Sequence, residues 1–276
     1  MKIFLVGGKA WHWIIESSPV KENADIFGGG SPLARGGLYD RAIYEHRPYV
    51  LESFFYADKD TERLLKFYGD FLLDSGAFTF CAGKDFSAKN FEEYIERYAD
   101  FINRNRVEKF FELDVESITG YDKVLEYRRK LERLTNKQCI PVWHIDRGKD
   151  EFLRHCDEYN YVALGGYVAA IKSGDKRQQA YIKSYPWFIS EAHKRGAKIH
   201  GLGFTSLTGL EKYHFDSVDS TAWTTGNRYG FLYYFDGKTM RKKDVPKGCR
   251  LIKPREAALN NYVEWLKFQK WADTHL

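Results

Sequence analysis

A (β/α)8 barrel is the fold class that the sequence predicts, with a β-hairpin inserted after the eighth strand and a helix at the C-terminus. Three observations lead there. Eight short apolar runs recur along the chain, and stretches with apolar residues at helical spacing lie between them. The length of 276 residues suits one large barrel or two small domains. Several runs end in an aspartate, a histidine or paired glycines, at the end of a parallel strand where ligands and catalytic groups collect. A doubly wound open sheet is the alternative. No linker or low-complexity stretch divides the chain, so residues 1–276 read as a single domain.

The predicted strands are 2–6, 49–55, 71–75, 110–114, 140–144, 161–165, 198–202 and 215–219. Each is a short apolar run, as strands buried on both faces of a parallel sheet read. A helix is predicted over 90–105, because Phe91, Tyr94, Ile95, Tyr98, Phe101 and Ile102 repeat at helical spacing, with Ser87 as its N-cap. Further helices are predicted over 120–134, 149–157 and 176–195. After residue 223 the pattern changes. Phe231 to Phe235, Asp236-Gly237 and Lys238-Thr239-Met240 predict a hairpin, and 255–274 predicts a closing helix. The Gly-rich segment 28–37 predicts a loop near the first strand. It follows no clear strand and lacks the lysine of a phosphate cradle.

Composition narrows the function classes. Aromatic residues make up 17%, enough to fill a bulky core and leave a minority to stack on bases or sugars. The net charge of +5 permits a nucleic-acid partner without demanding one, and the basic cluster Arg241, Lys242 and Lys243 stands late in the chain. Cys81, Cys139, Cys156 and Cys249 show no C-x-x-C spacing, which argues against a zinc site of that kind and against a disulfide framework. A reducing cytoplasm is therefore expected. The opening run breaks at Gly7, too early for a signal peptide, and no stretch reaches the length of a membrane span, so no membrane partner is expected.

The chemistry-bearing candidates share one end of the predicted barrel. They are Asp74, Asp114, His144, Gly165 with Gly166, His200 with Gly201 and Gly203, and Asp219. A single carboxylate at a strand end more often caps a helix or binds an arginine, but the recurrence at strand after strand points to a site. Three carboxylates around one pocket can divide into a nucleophile, a proton shuttle and an acceptor for a donor-rich ligand. Metal ligation competes with that division, although no H-x-H or H-E-x-x-H spacing supports it. Gly165-Gly166 serves either ligand access to backbone N–H groups or a tight turn. Phe78, four residues past Asp74, is placed to cover a planar ligand or to pack in the core. His12, His46, His155, His193, His214 and His275 are dispersed and read as surface or structural.

Taken in order, these segments resemble the tRNA-guanine transglycosylase family and its DNA-modifying relatives. Asp74-Ser75-Gly76-Ala77-Phe78 is similar to the family's Asp-Ser-Gly-Gly-aromatic motif. Leu164-Gly165-Gly166 is similar to its Leu-Gly-Gly turn, and Gly201-Leu202-Gly203 to its Gly-Val-Gly segment. Asp216 to Gly230 resembles the nucleophile segment and the stretch after it, and the likeness continues through the hairpin to Lys243, Asp244 and Pro246. It spans roughly residues 70 to 250 in ordered fragments. Ala77 and Thr79 replace a glycine and a glutamine of the usual motif. Members acting on tRNA carry a zinc site of three cysteines and a histidine after the hairpin. Only Cys249 stands there in this chain, so no cofactor is expected. The short chain looks more like the zinc-lacking relatives, often phage-borne, that insert 7-deazaguanines into DNA.

The resemblance implies a pentosyltransferase. Asp219 would attack C1′ of a guanosine nucleotide, with Asp216 its nearest rival, and Asp74 would shuttle the proton. Asp114 would accept from the N1 and N2 side of the base, Gly165 and Gly166 would meet its oxygen, and Phe78 and His200 would flank its ring, with Ser75 beside them. His144 stands where the family has a base-contacting glutamine. Arg228, Arg241, Lys242 and Lys243 are candidates for the nucleic-acid backbone. The implied partners are DNA, with tRNA as alternative, and a free 7-deazaguanine base; a homodimer is common in the family. Two rivals stand beside this reading: a metal-dependent barrel hydrolase using Asp74, Asp114 and His144, and a non-catalytic nucleic-acid-binding subunit.

Overall fold

The computed structural model describes residues 1–7, 47–82, 90–166, 176–204, 210–229, 231–244 and 254–276. The Gly-rich segment 28–37, the expected cap Ser87, His12, His46, Pro246 and Cys249 lie outside these residues, as does the side chain of Arg228. The described chain is mixed α/β. Its strands are β1 (Lys2–Val6), β2 (Tyr49–Ser53), β3 (Asp70–Asp74), β4 (Val142–Trp143), β5 (Tyr161–Leu164), β6 (Lys198–Gly201) and β7 (Ser217–Ser220). They form one curled parallel sheet, a half-barrel in the order β3-β2-β1-β7-β6-β5-β4. The helices between them are α1 (Lys59–Leu64), α2 (Ala77–Ala82), α3 (Asn90–Arg104), α4 (Glu116–Thr119), α5 (Tyr121–Thr135), α6 (Gly148–Glu158), α7 (Lys176–Lys183) and α8 (Tyr185–Lys194).

Strict alternation along the strands assigns the two faces. Phe4, Leu51, Leu72, Phe111, Val142 and Ala163, one from each successive segment, form an inner cluster. Their neighbours Ile3, Leu5, Val50, Val162 and Leu164 join a second cluster with α8, and Leu73 a third with α3. Period-two side-chain geometry makes this unavoidable once one face of each strand turns inward.

Three expected elements are altered. The strand expected over 110–114 contributes only isolated parallel bridges, Leu73 with Phe110 and Phe111 with Ile140. The neighbouring strand shrinks to Val142–Trp143. Pro141 has no N–H to give the ladder, and the N–H of Val142 donates to the Glu112 carboxylate at 2.7 Å. A side chain has replaced a backbone rung. The helix expected over 176–195 is broken at Ser184, because Pro186 lacks an N–H and its ring cannot sit inside a continuous helix.

After β7 come α9 (Thr225–Tyr229), the expected antiparallel hairpin β8 (Phe231–Phe235) and β9 (Met240–Asp244), and α10 (Pro254–His275). The hairpin turns through Asp236, whose carboxylate accepts from the N–H groups of Lys238 and Thr239. Polar side chains fasten α10 to both neighbours. Asn261 Oδ1 accepts from the Tyr233 N–H at 2.7 Å and Glu264 from the Phe235 N–H at 2.7 Å, so the helix caps the edge of β8. Fully buried Gln269 donates to the carbonyls of Ile3 and Tyr49 and accepts from the Tyr49 N–H at 3.0 Å. No helix among the described residues is long and apolar enough to cross a membrane.

Gln269 joins α10 to two strands and is itself fully buried. Gln269→Leu is expected to lower unfolding stability by about 2–4 kcal/mol, since buried backbone groups are left unpaired. Urea titration of the two proteins checks this.

Candidate active site

The carboxyl ends of the strands converge on a group of acidic side chains. Asp74 closes β3, and its Oδ2 accepts from the Gly76 N–H at 3.0 Å. Gly76 sits at φ +85°, and a Cβ there would stand 2.7 Å from the Cβ of Phe55, so the turn needs glycine for conformation and for space. Helix α3 pins the same turn from behind. Tyr94 donates to the Ser75 carbonyl at 2.6 Å, and Tyr98 reaches the carbonyls of Leu73 and Phe111, both at 3.0 Å. Burial raises the Asp74 carboxyl to about 6; the charges of Asp219 and Asp114 add to that, and the Gly76 N–H opposes it.

Asp219 projects from β7 on the inner face. Its Oδ1 receives the Gly203 N–H at 2.7 Å and faces His200 Nε2 at 3.1 Å. His200 Nδ1 in turn meets Ser217 Oγ at 2.5 Å, and Ser217 Oγ meets the Tyr161 hydroxyl. A carboxylate can only accept, so His200 Nε2 donates to Asp219, and the other ring nitrogen is held by the Ser217–Tyr161 hydroxyl pair. His200 was expected to flank a ligand ring. It lies instead beneath Asp219, fully buried beside Phe4 and Phe111, and presents no face to the opening.

Asp114 is held by a guanidinium and an imidazole. Arg147 donates to Oδ1 at 2.9 Å, and His144 Nε2 faces Oδ2 at 2.5 Å. Burial pushes the Asp114 carboxyl up, but the bond and charge of His144, with the Arg147 guanidinium, outweigh it and leave the group below its ordinary value. Arg147 is almost wholly buried, bonds Glu116 at 2.7 Å, lies 3.5 Å from Glu112 and stacks over Tyr121 at 4.2 Å. Glu112 is also paired with Arg128 at 2.6 Å. A buried guanidinium therefore already supplies the positive charge that a metal ion would bring to Asp114. Among the described residues no group of three or more His, Cys, Asp or Glu could hold a metal ion.

The remaining candidates separate. Ser75 is buried, so it supports the turn and is not an exposed contact. Phe78 stands in the first turn of α2, 77% exposed at the rim. The N–H of Gly165 is taken by the Trp143 carbonyl at 2.9 Å, so it cannot meet a base oxygen; Gly166 makes the turn at φ +83°. Asp216, the rival nucleophile, faces away and accepts from His193 and the Ile199 N–H.

The hairpin residues lie along α10. Arg241 pairs with Asp236 at 2.7 Å near the turn, where Phe235 packs on Phe268 and Trp271 of α10. Gln269 in that same part of the helix binds Ile3 at the start of β1, so Arg241 sits toward the strand ends opposite the acidic group. Lys242 lies over the Phe231 ring at 4.7 Å, and Lys243 is exposed. Arg147, Glu112, Tyr94, Tyr98, Ser217 and Tyr161 were not among the expected site residues. Arg147 comes three residues after the strand-end His144, the one signal that could have found it.

No protein-family model matches the chain, and no curated protein matches it.

This geometry makes stability depend on two side chains in opposite ways. The unfolded chain loses the Asp74 proton near 3.8 and the folded one near 6, so stability falls across that window and stays lower above it. Asp74→Asn should therefore be more stable than the parent near pH 8, by about 3 kcal/mol at most, with the gap closing below about pH 4. Denaturant titrations at both pH values measure it. Arg147→Met should cost about 3–5 kcal/mol by stranding buried carboxylates, read from the same titrations.

Proposed function

We propose that the protein is a guanine transglycosylase that exchanges guanine in a nucleic acid, DNA in the first instance, for a 7-deazaguanine base. One observation carries the reading. Two carboxylates on different strands share the concave end, Asp219 held from below by two donors and Asp74 raised to about 6 by burial and by the charge of Asp219. Carboxyl groups whose surroundings differ in this way suit a nucleophile and a proton shuttle.

The register supports a complete (β/α)8 barrel as its frame. Leu5 faces Val50, and Val50 faces Phe71. The path continues through Leu73–Phe110, Phe111–Ile140, Val142–Ala163, Ala163–His200, His200–Ser217 and Ser217–Lys2. It returns to β1 at Lys2, three residues before Leu5, after stepping five residues forward along the strands at 71–73, 110–111 and 140–142, a total stagger of about eight, the shear of such barrels. In that frame β7 is the eighth strand and α10 the closing helix.

Each step balances in bonds and protons. Asp219 Oδ2 attacks C1′, an ester C1′–O bond forms, and the C1′–N9 bond to guanine breaks as the base takes the Asp74 proton. The incoming base then gives its N9 proton to Asp74, attacks C1′, and frees the Asp219 carboxylate. Two inversions restore the configuration, as in retaining glycosidases. The target nucleotide must leave the stack to expose C1′, by flipping or from a single strand. Phe78 at the rim offers an exposed ring to an unstacked base, and Lys243 a charge for the phosphates. The cytoplasm is the compartment this reading fits.

Labelled guanine or 7-deazaguanine, incubated with the protein and either DNA or tRNA, should enter DNA. Entry into tRNA alone would reassign the polymer, and entry into neither would sink the reading. A covalent protein–nucleic acid adduct should form with the parent and not with Asp219→Ala. Base release should slow as pH rises through about 6, where Asp74 loses the proton it must donate.

A further inference from the structure

The interior of the curl is apolar around Phe4, Leu72, Phe111 and Ala163, yet one file of polar side chains crosses it. Strand period and register build the file. Ser217 and Asp219 stand two residues apart on β7 and face the same way, as do Tyr161 and Ala163 on β5. His200 of β6 lies between those strands, opposite Ala163 on one side and Ser217 on the other. The rings of Phe4, Phe111 and Tyr161 surround its imidazole, with centroids 6.3, 5.3 and 6.5 Å away.

Polar groups in such a place cost free energy unless each finds a partner. Ser217 and His200 are fully buried, and the Ser217 hydroxyl meets both the Tyr161 hydroxyl and His200 Nδ1, the latter at 2.5 Å. Burial raises the Tyr161 hydroxyl above its ordinary value, outweighing the bond to Ser217 and helped by the charges of Asp216 and Asp70, so the group keeps its hydrogen. The imidazole therefore has an anchor at each nitrogen. Nε2 donates to Asp219 Oδ1, which also receives the Gly203 N–H at 2.7 Å. Two donors on one oxygen set the rotation of the carboxylate, and among the described residues Oδ2 has no hydrogen-bond partner. The Gly203 donor is fixed by the backbone. The imidazole donor can turn about its side-chain torsions unless Nδ1 is held.

We propose that Ser217 is a positioning residue for Asp219: it holds His200 Nδ1, thereby keeps Nε2 on Oδ1, and leaves Oδ2 free to attack C1′. Tyr161 steadies the Ser217 hydroxyl from the amino end of the strands. The assignment rests on the base-exchange reading for the reaction, and adds residues that touch neither base nor sugar. Orientation of this kind acts on the rate of attack and not on binding.

The test compares the full-length parent with Ser217→Ala, Ser217→Thr and Tyr161→Phe in two measurements. The first is exchange of labelled guanine into whichever of DNA and tRNA the parent labels. Ser217→Ala should lower kcat by about tenfold to about a hundredfold and leave KM for the polymer within about twofold. Tyr161→Phe, which keeps the ring and loses only the hydroxyl, should fall less. Ser217→Thr, which keeps the hydroxyl, should stay within about threefold of the parent. The second measurement is proton NMR of the His200 Nε2–H. Its exchange with solvent should be slow in the parent and about tenfold faster or more in Ser217→Ala. Parent kcat in Ser217→Ala, a loss confined to KM, a Ser217→Thr protein as slow as Ser217→Ala, or an unchanged exchange rate would overturn the assignment. If Ser217→Ala does not fold, Tyr161→Phe carries both measurements: lower kcat with faster exchange supports the assignment, and a parent value of either overturns it. If the parent labels neither polymer, the base-exchange reading falls by itself. Faster exchange in Ser217→Ala then still supports the hold on His200 and Asp219, and an unchanged rate overturns it.

Discussion

Arg147 places a permanent positive charge where little water reaches, and the acidic group around it is tolerable because of that charge. One guanidinium lies against Glu112, Asp114 and Glu116 and bonds the Val142 carbonyl, with Tyr121 covering its face. Buried carboxylates without such a partner would neutralise or destabilise the fold. Through Asp114 the charge also reaches His144, and it lies against Glu112, the side chain that replaces a rung between the 110–111 segment and β4. Charge compensation and strand pairing therefore share the same atoms at this corner of the sheet.

Among the described residues, the opposite corner has no guanidinium against its carboxylate. Asp219 receives the Gly203 N–H and the end of a chain running from Tyr161 through Ser217 and His200. Each member lies on the inner face, so the chain descends the interior of the curl and not its outer surface. Asp74 accepts from the Gly76 N–H and feels the charge of its two acidic neighbours. Three carboxylates of one composition thus acquire three environments, and different chemistry can arise from identical side chains.

Much of the frame was legible in the sequence. Seven of the expected strands recur within one or two residues of their observed bounds, as do the helices at α3, α5, α6 and α10, because apolar period and turn chemistry are local properties. The break at Ser184 is legible too, in Pro186, although the helical spacing of the flanking apolar residues runs straight through it. The loss of the strand at 110–114 was not, since it depends on Glu112 meeting the N–H of a residue that only the fold brings near. Among the candidate site residues, Asp74, Asp114 and Asp219 are legible from their places at strand ends. Tyr94 and Tyr98 were hidden as members of an apolar helical stripe, although their hydroxyls hold the β3 exit.

By itself the sequence determined which residues stand at the carboxyl ends of strands, and hence which could share a site. Alternation of two residues per strand period even decides that Asp74 points the same way as Leu72, and Asp219 the same way as Ser217. Only the tertiary structure decided their partners. His144 lies on Asp114 and above Gly165, His200 lies under Asp219, and Arg147 joins three acids, because curling the sheet brings together strands far apart in sequence. Strand direction is written in local pattern; distance between strand ends depends on twist, register and packing, which no single segment encodes.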